Sequence, residues 1–404
     1  MNATSRSSVQ TALQMAAERV PVVVACCRTA IGRSHPERGL FRLVRGDALA
    51  AAVVKSVVDR SGVDPTTLED VVFGATQQRG ELGGNVARIV ALLAGLPLSV
   101  AGTTVNRLCG SGLQSLAQAC HSISAGAENV QVVGGVEHMH HLPMDSAIDI
   151  HPQACARSSR GMLSMGMTAE HLAATQGISR KMQEVYAVDS HRKAAQAADD
   201  GLFENEIVST IGHDEVGGLV EAIDDQSIRR DASLAAMASL GPVFLPKLGT
   251  ITAATSAPLS DGAAALVVMS QAEAMRQGLV PLVRVVATAV IGVPPAMMGT
   301  GPVPATRKLL ERAGIAIEDI DLIEINEAFA AQAIYCIQEL GVDPAKVNVR
   351  GGSLAIGHPL GASGARIATT LIHAMGDMHA RLGLATMCIG LGQGIAVLFE
   401  RVEP

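Results

Sequence analysis

The chain contains itself twice. RTAIG at Arg28 recurs as TAVIG at Thr288, and LEDVVFG at Leu68 as IEDIDLI at Ile317. SGLQSLAQ after Cys109 recurs as SGARIATT after His358, and VGGVEH at Val133 corresponds to the stretch ending in CIG at Cys388. The matches keep their order at an offset of about 250 residues. Four in sequence mark a duplication, so the chain is expected to fold as two similar halves whose equivalent turns can face one another. Both halves carry buried-strand patterns: VPVVVAC at 20–26, DVVFG at 70–74, VQVVGG at 130–135, AALVVMS at 264–270, LVRVVATAVIG at 282–292, LIEIN at 322–326, GLATMCIG at 383–390 and IAVLFERV at 395–402. Helical stretches such as GDALAAAVVKSVVDRSG, GLQSLAQACHSISAG, PATRKLLERAG and SGARIATTLIHAMG lie between them. Such alternation predicts an α/β fold with layered, buried sheets.

Residues 138–257 have no counterpart in the repeat and are rich in Met, His, Asp and polar helical stretches. They read as an inserted, partly helical subdomain, of the kind that shapes a ligand site on a rigid scaffold. The expected division is an N-terminal extension at 1–19, a first half at 20–137 completed by about 258–281, the insert at 138–257, and a second half at 282–404. The first residues lack the continuous apolar stretch of a secretory signal and read as an ordinary chain end.

Apolar residues make up 48% of the 404 residues and charged residues 17%, but charges or glycines interrupt every apolar run. No run approaches the ~18 residues that span a bilayer. The apolar excess therefore belongs to a large core, buried sheets or a subunit interface. Net charge is −7, and no basic stripe with interleaved aromatics occurs, which argues against nucleic acid as a partner. Seven cysteines, odd in number and with no CxxC pair, predict free thiols in a reducing compartment, here the cytoplasm.

Three residues sit in glycine-rich turns of their own. Cys109, in VNRLCGSG, directly precedes a helical pattern, where the helix dipole and free N–H groups favour a thiolate. His358, in GGSLAIGHPLGASGAR, is placed to act as a general base. Cys388, in MCIGLGQG, ends a buried strand and could carry a proton, and Gly390 offers a backbone N–H to an oxyanion. Asn326 in NEAFA could hold a water or donate to an oxyanion, or could simply cap the following helix. Glu327 reads as a structural hydrogen-bonding residue. Each thiol and imidazole also has a bland reading as core or loop packing. The run EHMHH, with His138, His140 and His141 and with Glu137 and His151 nearby, matches no zinc signature and reads as a polar loop beside a strand, so no metal is expected. No phosphate-binding loop of the nucleotide type occurs.

Taken together, NRLCGSG, NEAFA, GGxxAxGHPxGxSGAR and CxGxGxG, in this order over residues 20 to 402, resemble the thiolase family. VGGVEHM, SMGMTAEHLA, GISRKMQ, ENEIV and LATMCIGLGQGIAVLFERV are similar to its degradative branch, which serves fatty-acid oxidation in bacteria. Ser164, where biosynthetic members carry His, agrees with that branch. The resemblance implies a duplicated, layered α-β-α-β-α fold with an inserted loop subdomain, and thiolysis of 3-ketoacyl-CoA by CoA. It implies Cys109 as nucleophile, His358 as its base, Cys388 as proton carrier, Asn326 acting through a water, and the N–H groups of Cys109 and Gly390 as an oxyanion hole. It further implies that Arg229, Met165 and Ser256 contact CoA or the acyl chain. CoA would be a co-substrate with no permanently bound cofactor, and the chain a homodimer or tetramer, with a hydratase–dehydrogenase subunit as a possible partner. Three positions depart from the family pattern: Ala257 at a usual serine, Gly241 at a common arginine, and His140 where glycine is frequent. The rival readings are an acetoacetyl-CoA thiolase, a ketoacyl-synthase-type condensing enzyme, a cysteine hydrolase using Cys109, His358 and Asn326, and an inactive scaffold. Cys388 is the residue that separates a thiolase from a synthase or a hydrolase.

Overall fold

The computed structural model describes residues 18–144, 149–156 and 158–403. The expected N-terminal extension therefore lies, up to residue 17, outside the described residues. Nine strands form one continuous order: β1 (Pro21–Arg28), β2 (Asp70–Gly74), β3 (Ala101–Val105), β4 (Val130–His138), β5 (Ser260–Ser270), β6 (Val283–Gly292), β7 (Leu322–Ile325), β8 (Leu382–Ile389) and β9 (Gln393–Arg401). A tenth short strand, Gly32–Arg33, pairs with β5.

The spatial order is β7-β8-β9-β6-β1-β5-β4-β2-β3. Read outward from the antiparallel β1–β6 seam, each side runs through the same sequence of strands: β1-β5-β4-β2 on one and β6-β9-β8-β7 on the other. In each, the last two strands pair in parallel and the rest antiparallel. Edge strand β3 pairs in parallel with β2, and its counterpart is a single parallel bridge between Ile323 and Val347. The duplicated sequence is thus a duplicated topology.

Alternation along the strands separates the core into layers. In β5, where every residue is buried, Ala263, Ala265, Val267 and Met269 face one apolar cluster, while Ala264, Leu266 and Val268 face another. In β9, Ala396 and Leu398 face outward, and Ile395, Val397 and Phe399 face the same central cluster. Helices α1 (Gly46–Ser61) and α2 (Val86–Leu93) cover the outer face of the first half. Helix α3 (Ser111–Ala125) lies in the centre. The insert contributes α4 (Met165–Thr175) and α5 (Arg180–Asp199), together with the ribbon Thr210–His213 and Leu219–Ala222. In the second half α6 (Pro302–Ala313) and α7 (Ala330–Leu340) pack on the outer face, and α8 (Leu360–Asp377) joins α3 in the centre. From Gly361 to Ile372 every residue of α8 is buried, as expected of a helix sandwiched between two sheets. The layers therefore run α-β-α-β-α.

A buried ion cluster joins residues 138–257 to the first half. Arg28, at the end of β1, donates to Glu206 at 2.7 Å and to both carboxylate oxygens of Asp225 at 2.7 and 2.9 Å. All three side chains are buried, and the lost solvation is replaced by these contacts together with Arg350 and Thr370 on Glu206 and the Ile31 N–H on Asp225.

Candidate active site

The site forms where α3 and α8 begin. Gly112 and Gly364 let the two helix N-termini touch: a Cβ on Gly112 would meet the backbone N of Ala365 at 2.5 Å, and one on Gly364 the N of Leu113 at 2.2 Å. Glu137, at the end of β4, secures the approach by accepting from the N–H groups of Gly361 (2.8 Å), Thr76 and Gln77 (both 3.1 Å). Cys109 and His358 each lie just before one of these helices.

Cys109 sits in a tight turn after Leu108, whose φ of 46° is unusual for a side chain with a Cβ. The turn is braced by Leu108 N–H on Asn106 Oδ1 (2.8 Å), Arg107 N–H on Ser111 Oγ (2.9 Å) and Ser111 O–H on the Leu108 carbonyl (2.6 Å). The thiol is half-buried, and burial pushes it up to about 11, opposed by the N–H groups of Gly390 and of Cys109 itself. This reverses the sequence expectation of a thiolate favoured by the helix end, because desolvation outweighs the dipole. The same two N–H groups are the donors expected for an oxyanion hole.

Gly390 heads the turn between β8 and β9, where Ile389 pairs with Gln393. A side chain there would press on Leu108 Cδ1 at 3.2 Å and Met165 Sδ at 3.4 Å, so the β8–β9 turn, the Cys109 turn and the start of α4 converge. Cys388 is buried among Met165, Ile251, Met298 and Phe329. Its thiol is held well above the usual range by burial first, and then by Cys109 and Cys336, whose thiolates would repel its own. Cys388 is thus a neutral thiol beside Cys109.

His358 is buried, and burial lowers it to about 3, with the Arg366 guanidinium adding to the effect. Its Nδ1 lies 2.6 Å from Ser363 Oγ, and Ser363 donates its own proton to the Pro359 carbonyl at 2.8 Å. Nδ1 therefore carries the ring's hydrogen, and Nε2 keeps a free lone pair. Asn326 Nδ2 approaches that Nε2 at 3.5 Å. The helix-cap alternative for Asn326 does not occur, since α7 starts at Ala330 with Phe329 at its N-cap. Glu327 is structural: it accepts from Tyr186 (2.9 Å), Ser190 (2.7 Å), Asn348 (2.8 Å) and the Leu354 N–H (3.1 Å).

The geometry brings Cys109, Cys388, Gly390 and Met165 together, and pairs Asn326 with His358. Ser256 forms a β-bridge with Phe329 of NEAFA, and Ala257 N–H donates to Ala328 O of the same element at 3.0 Å. Arg229 is exposed; its N–H meets His191 Nδ1 at 3.2 Å, and no described contact joins it to the Cys109 turn. Gly241 has open space around it. The histidine run ends β4. The rings of His138 and His141 stack with centroids 3.8 Å apart, and their Nε2 atoms meet the carbonyls of Phe41 (3.1 Å) and Arg42 (2.9 Å). Ligand atoms of Glu81, His138 and His141 lie within 4.8 Å of one another, but lone pairs in parallel rings do not converge on a single point. Sequence reading missed Glu137 as a brace, and also Ser353, Ser363 and Arg366. All three lie inside the GGSLAIGHPLGASGAR motif, which is the signal that could have found them.

A cysteine turn and a histidine turn at the meeting of two central helices, with a second cysteine and the Gly390 turn converging on the first, in a duplicated layered fold, fit the class of cysteine-dependent acyltransferases. Residues 21–272 match the family model "Thiolase, N-terminal domain" and residues 279–401 "Thiolase, C-terminal domain". The chain belongs to the thiolase family. It is 50% identical over 385 residues to a protein of Shewanella loihica named 3-ketoacyl-CoA thiolase, covering 94% of this chain and 99% of that one. It is 51% identical to one of the same name from Pseudoalteromonas atlantica, again covering 94% and 99%. A crystal structure of the Bacillus anthracis acetyl-CoA acetyltransferase superposes with a TM-score of 0.86 at 36% identity, covering 96% of this chain and all of that one. No helix among the described residues is long and apolar enough to cross a membrane.

Proposed function

We propose that this enzyme cleaves 3-ketoacyl-CoA with CoA to give acetyl-CoA and a shortened acyl-CoA. The observation that carries the reading is the second buried thiol, Cys388, within electrostatic reach of Cys109. A hydrolase or a synthase needs one reactive cysteine, whereas thiolysis needs a second acid–base group for the carbon leaving group and for CoA.

His358 Nε2 takes the Cys109 proton, and Sγ attacks the 3-keto carbon. The resulting alkoxide collapses, the C2–C3 bond breaks, and its electron pair leaves as the acetyl-CoA enolate while the acyl chain stays on Cys109. The Cys388 thiol protonates the enolate carbon, and acetyl-CoA departs. The Cys388 thiolate then deprotonates incoming CoA, whose sulfur attacks the acyl-Cys109 thioester. Shortened acyl-CoA leaves, and His358 returns the proton to Cys109. N–H groups of Cys109 and Gly390 stabilise the thioester oxyanion; Asn326, through a water, and His358 stabilise the enolate oxygen.

Residues 138–257 are the proposed CoA-holding part, with Met165 and Ser256 near the reacting end and exposed Arg229 toward the nucleotide end. CoA enters as co-substrate rather than as a resident group. The free cysteines fit a reducing cytoplasm, and the enzyme is proposed to work as a homodimer or tetramer, with a hydratase–dehydrogenase subunit as a candidate partner. The test is CoA-dependent release of acetyl-CoA across a series of 3-ketoacyl-CoA chain lengths. Turnover of acetoacetyl-CoA alone would move the assignment to an acetyl-CoA acetyltransferase, and thioester hydrolysis without CoA would move it to a hydrolase.

A further inference from the structure

We propose that Ser353 is a positioning residue that sets which way the Asn326 amide faces, and so enables the enolate step of the reaction proposed above. Ser353 is fully buried at the start of the short helix Ser353–Ile356. Its hydroxyl lies 2.6 Å from Arg366 Nη2 and 2.7 Å from Asn326 Oδ1.

The direction of these bonds follows from chemistry. A guanidinium only donates, so Ser353 Oγ accepts from Arg366. The hydroxyl proton is then free for Asn326, and only the carbonyl end of the amide can receive it. Oδ1 is thereby held toward Ser353, and the NH₂ group is turned toward Nε2 of His358, 3.5 Å away. That orientation agrees with the Nε2 lone pair deduced independently from the Ser363–Pro359 contacts.

Arg366 has little other use for its donors. It is fully buried; among the described residues its Nε and Nη1 lack hydrogen-bond partners, and Nη1 stands 3.7 Å from Glu324 Oε2. Glu324 and Asn326 belong to one segment, the end of β7, so the guanidinium is fixed from the strand that carries the amide it orients. Removing the Ser353 hydroxyl would release the amide to turn its oxygen toward His358 and would leave Arg366 with no hydrogen bond. The water between Asn326 and the enolate accepts from an NH₂ group and keeps its own protons for the enolate oxygen, whereas an amide oxygen would take up one of those protons.

The proposal separates two half-activities. Exchange of solvent deuterium into the methyl group of acetyl-CoA requires the enolate. Transfer of an acyl group from acyl-CoA to labelled CoA requires acyl-Cys109 but no enolate. Ser353→Ala is expected to slow deuterium exchange about tenfold, leaving acyl transfer within about twofold. In an Asn326→Ala background, adding Ser353→Ala should cause no further loss of exchange, because the serine acts through the amide. Equal loss of both half-activities, no loss of either, or additive losses in the double variant would each overturn the proposal. If Asn326→Ala itself leaves exchange intact, the assignment of Asn326 to the enolate fails as well. If Asn326→Ala slows exchange and Ser353→Ala does not, only the role of Ser353 fails.

Discussion

Gly112 and Gly364 hold each other's helix at a distance that admits no Cβ on either side: 2.5 Å to Ala365 N in one direction and 2.2 Å to Leu113 N in the other. The contact is reciprocal because Ser111-Gly112-Leu113 and Ser363-Gly364-Ala365 are equivalent positions of the repeat. The axis relating the two halves therefore passes between these glycines, beside the turns that carry Cys109 and His358. Gly364→Ala is expected to force the helices apart, costing about 1–3 kcal/mol as overpacking does. Denaturant midpoints measure the cost, and the rate of Cys109 acylation should fall with it. A variant with unchanged stability and acylation would show that the helix contact is not a constraint on the site.

The proton inventory of the resting site follows from the shifts. With Cys109 raised to about 11 and His358 lowered to about 3, both groups are neutral between those values, and no thiolate–imidazolium pair exists at rest. Alkylation of Cys109 by iodoacetamide, followed on its own peptide by mass spectrometry, should rise about tenfold per pH unit between pH 7 and 10, tracking the thiolate fraction. A plateau below pH 8 would indicate a preformed ion pair instead.

His358 also links stability to acidity. Its folded value lies below the ordinary one, so between the two the unfolded chain binds a proton that the folded chain does not. Stability from this group is complete above about pH 6.5 and is lost as pH falls toward 3. At pH 5 the loss should reach about 2 kcal/mol. Comparing unfolding of wild type and His358→Asn at pH 7.5 and pH 5 isolates it: the wild type should lose more stability on acidification. Equal losses would show that His358 is not held neutral by the fold.

The two thiols divide the reaction. Cys109→Ser should abolish the acyl-enzyme while leaving the fold intact, as seen by mass spectrometry and circular dichroism. Cys388→Ser should still accept an acyl group from a pre-formed donor but lose about 10²–10⁴-fold in carbon–carbon cleavage, the span of a general acid–base contribution. Normal thiolysis by this variant would remove Cys388 from the mechanism.

Arg28 predicts a stability effect far from the chemistry. Arg28→Met leaves Asp225 buried without its counter-charge and Glu206 with only Arg350, 3.8 Å away, which should cost about 3–5 kcal/mol in unfolding free energy. Full stability in this variant would mean that water or other cations satisfy the two carboxylates.

Much of the site was legible in the linear chain, because its turns carry their own signals. Glycines flank Cys109, His358 and Cys388, and the repeat matches SGLQSLAQ to SGARIATT, which already suggests that a cysteine turn and a histidine turn face one another. Alternating apolar runs located eight strands of the main sheet but not AGTTV at 101–105, the two-residue strand Gly32–Arg33 or the ribbon Thr210–His213 and Leu219–Ala222; AGTTV shows why. Its small and polar residues form an edge strand paired on one side only, which gives little apolar signal.

Tertiary structure alone decided the protonation states and the supporting hydrogen bonds. A helix N-terminus favours a thiolate, but the burial that pushes Cys109 the other way, against the N–H groups of Gly390 and Cys109, depends on the layers packed around it, which no local pattern encodes. The Arg366–Ser353–Asn326–His358 chain joins β7, a short helix, α8 and the turn before it. Asn326 lies 27 residues before Ser353, outside the motif that holds the other three, so the contact exists only once the second half has packed. Residue types and turns are local properties and can be read along the chain; desolvation and the direction of a buried hydrogen bond are properties of what folding brings alongside.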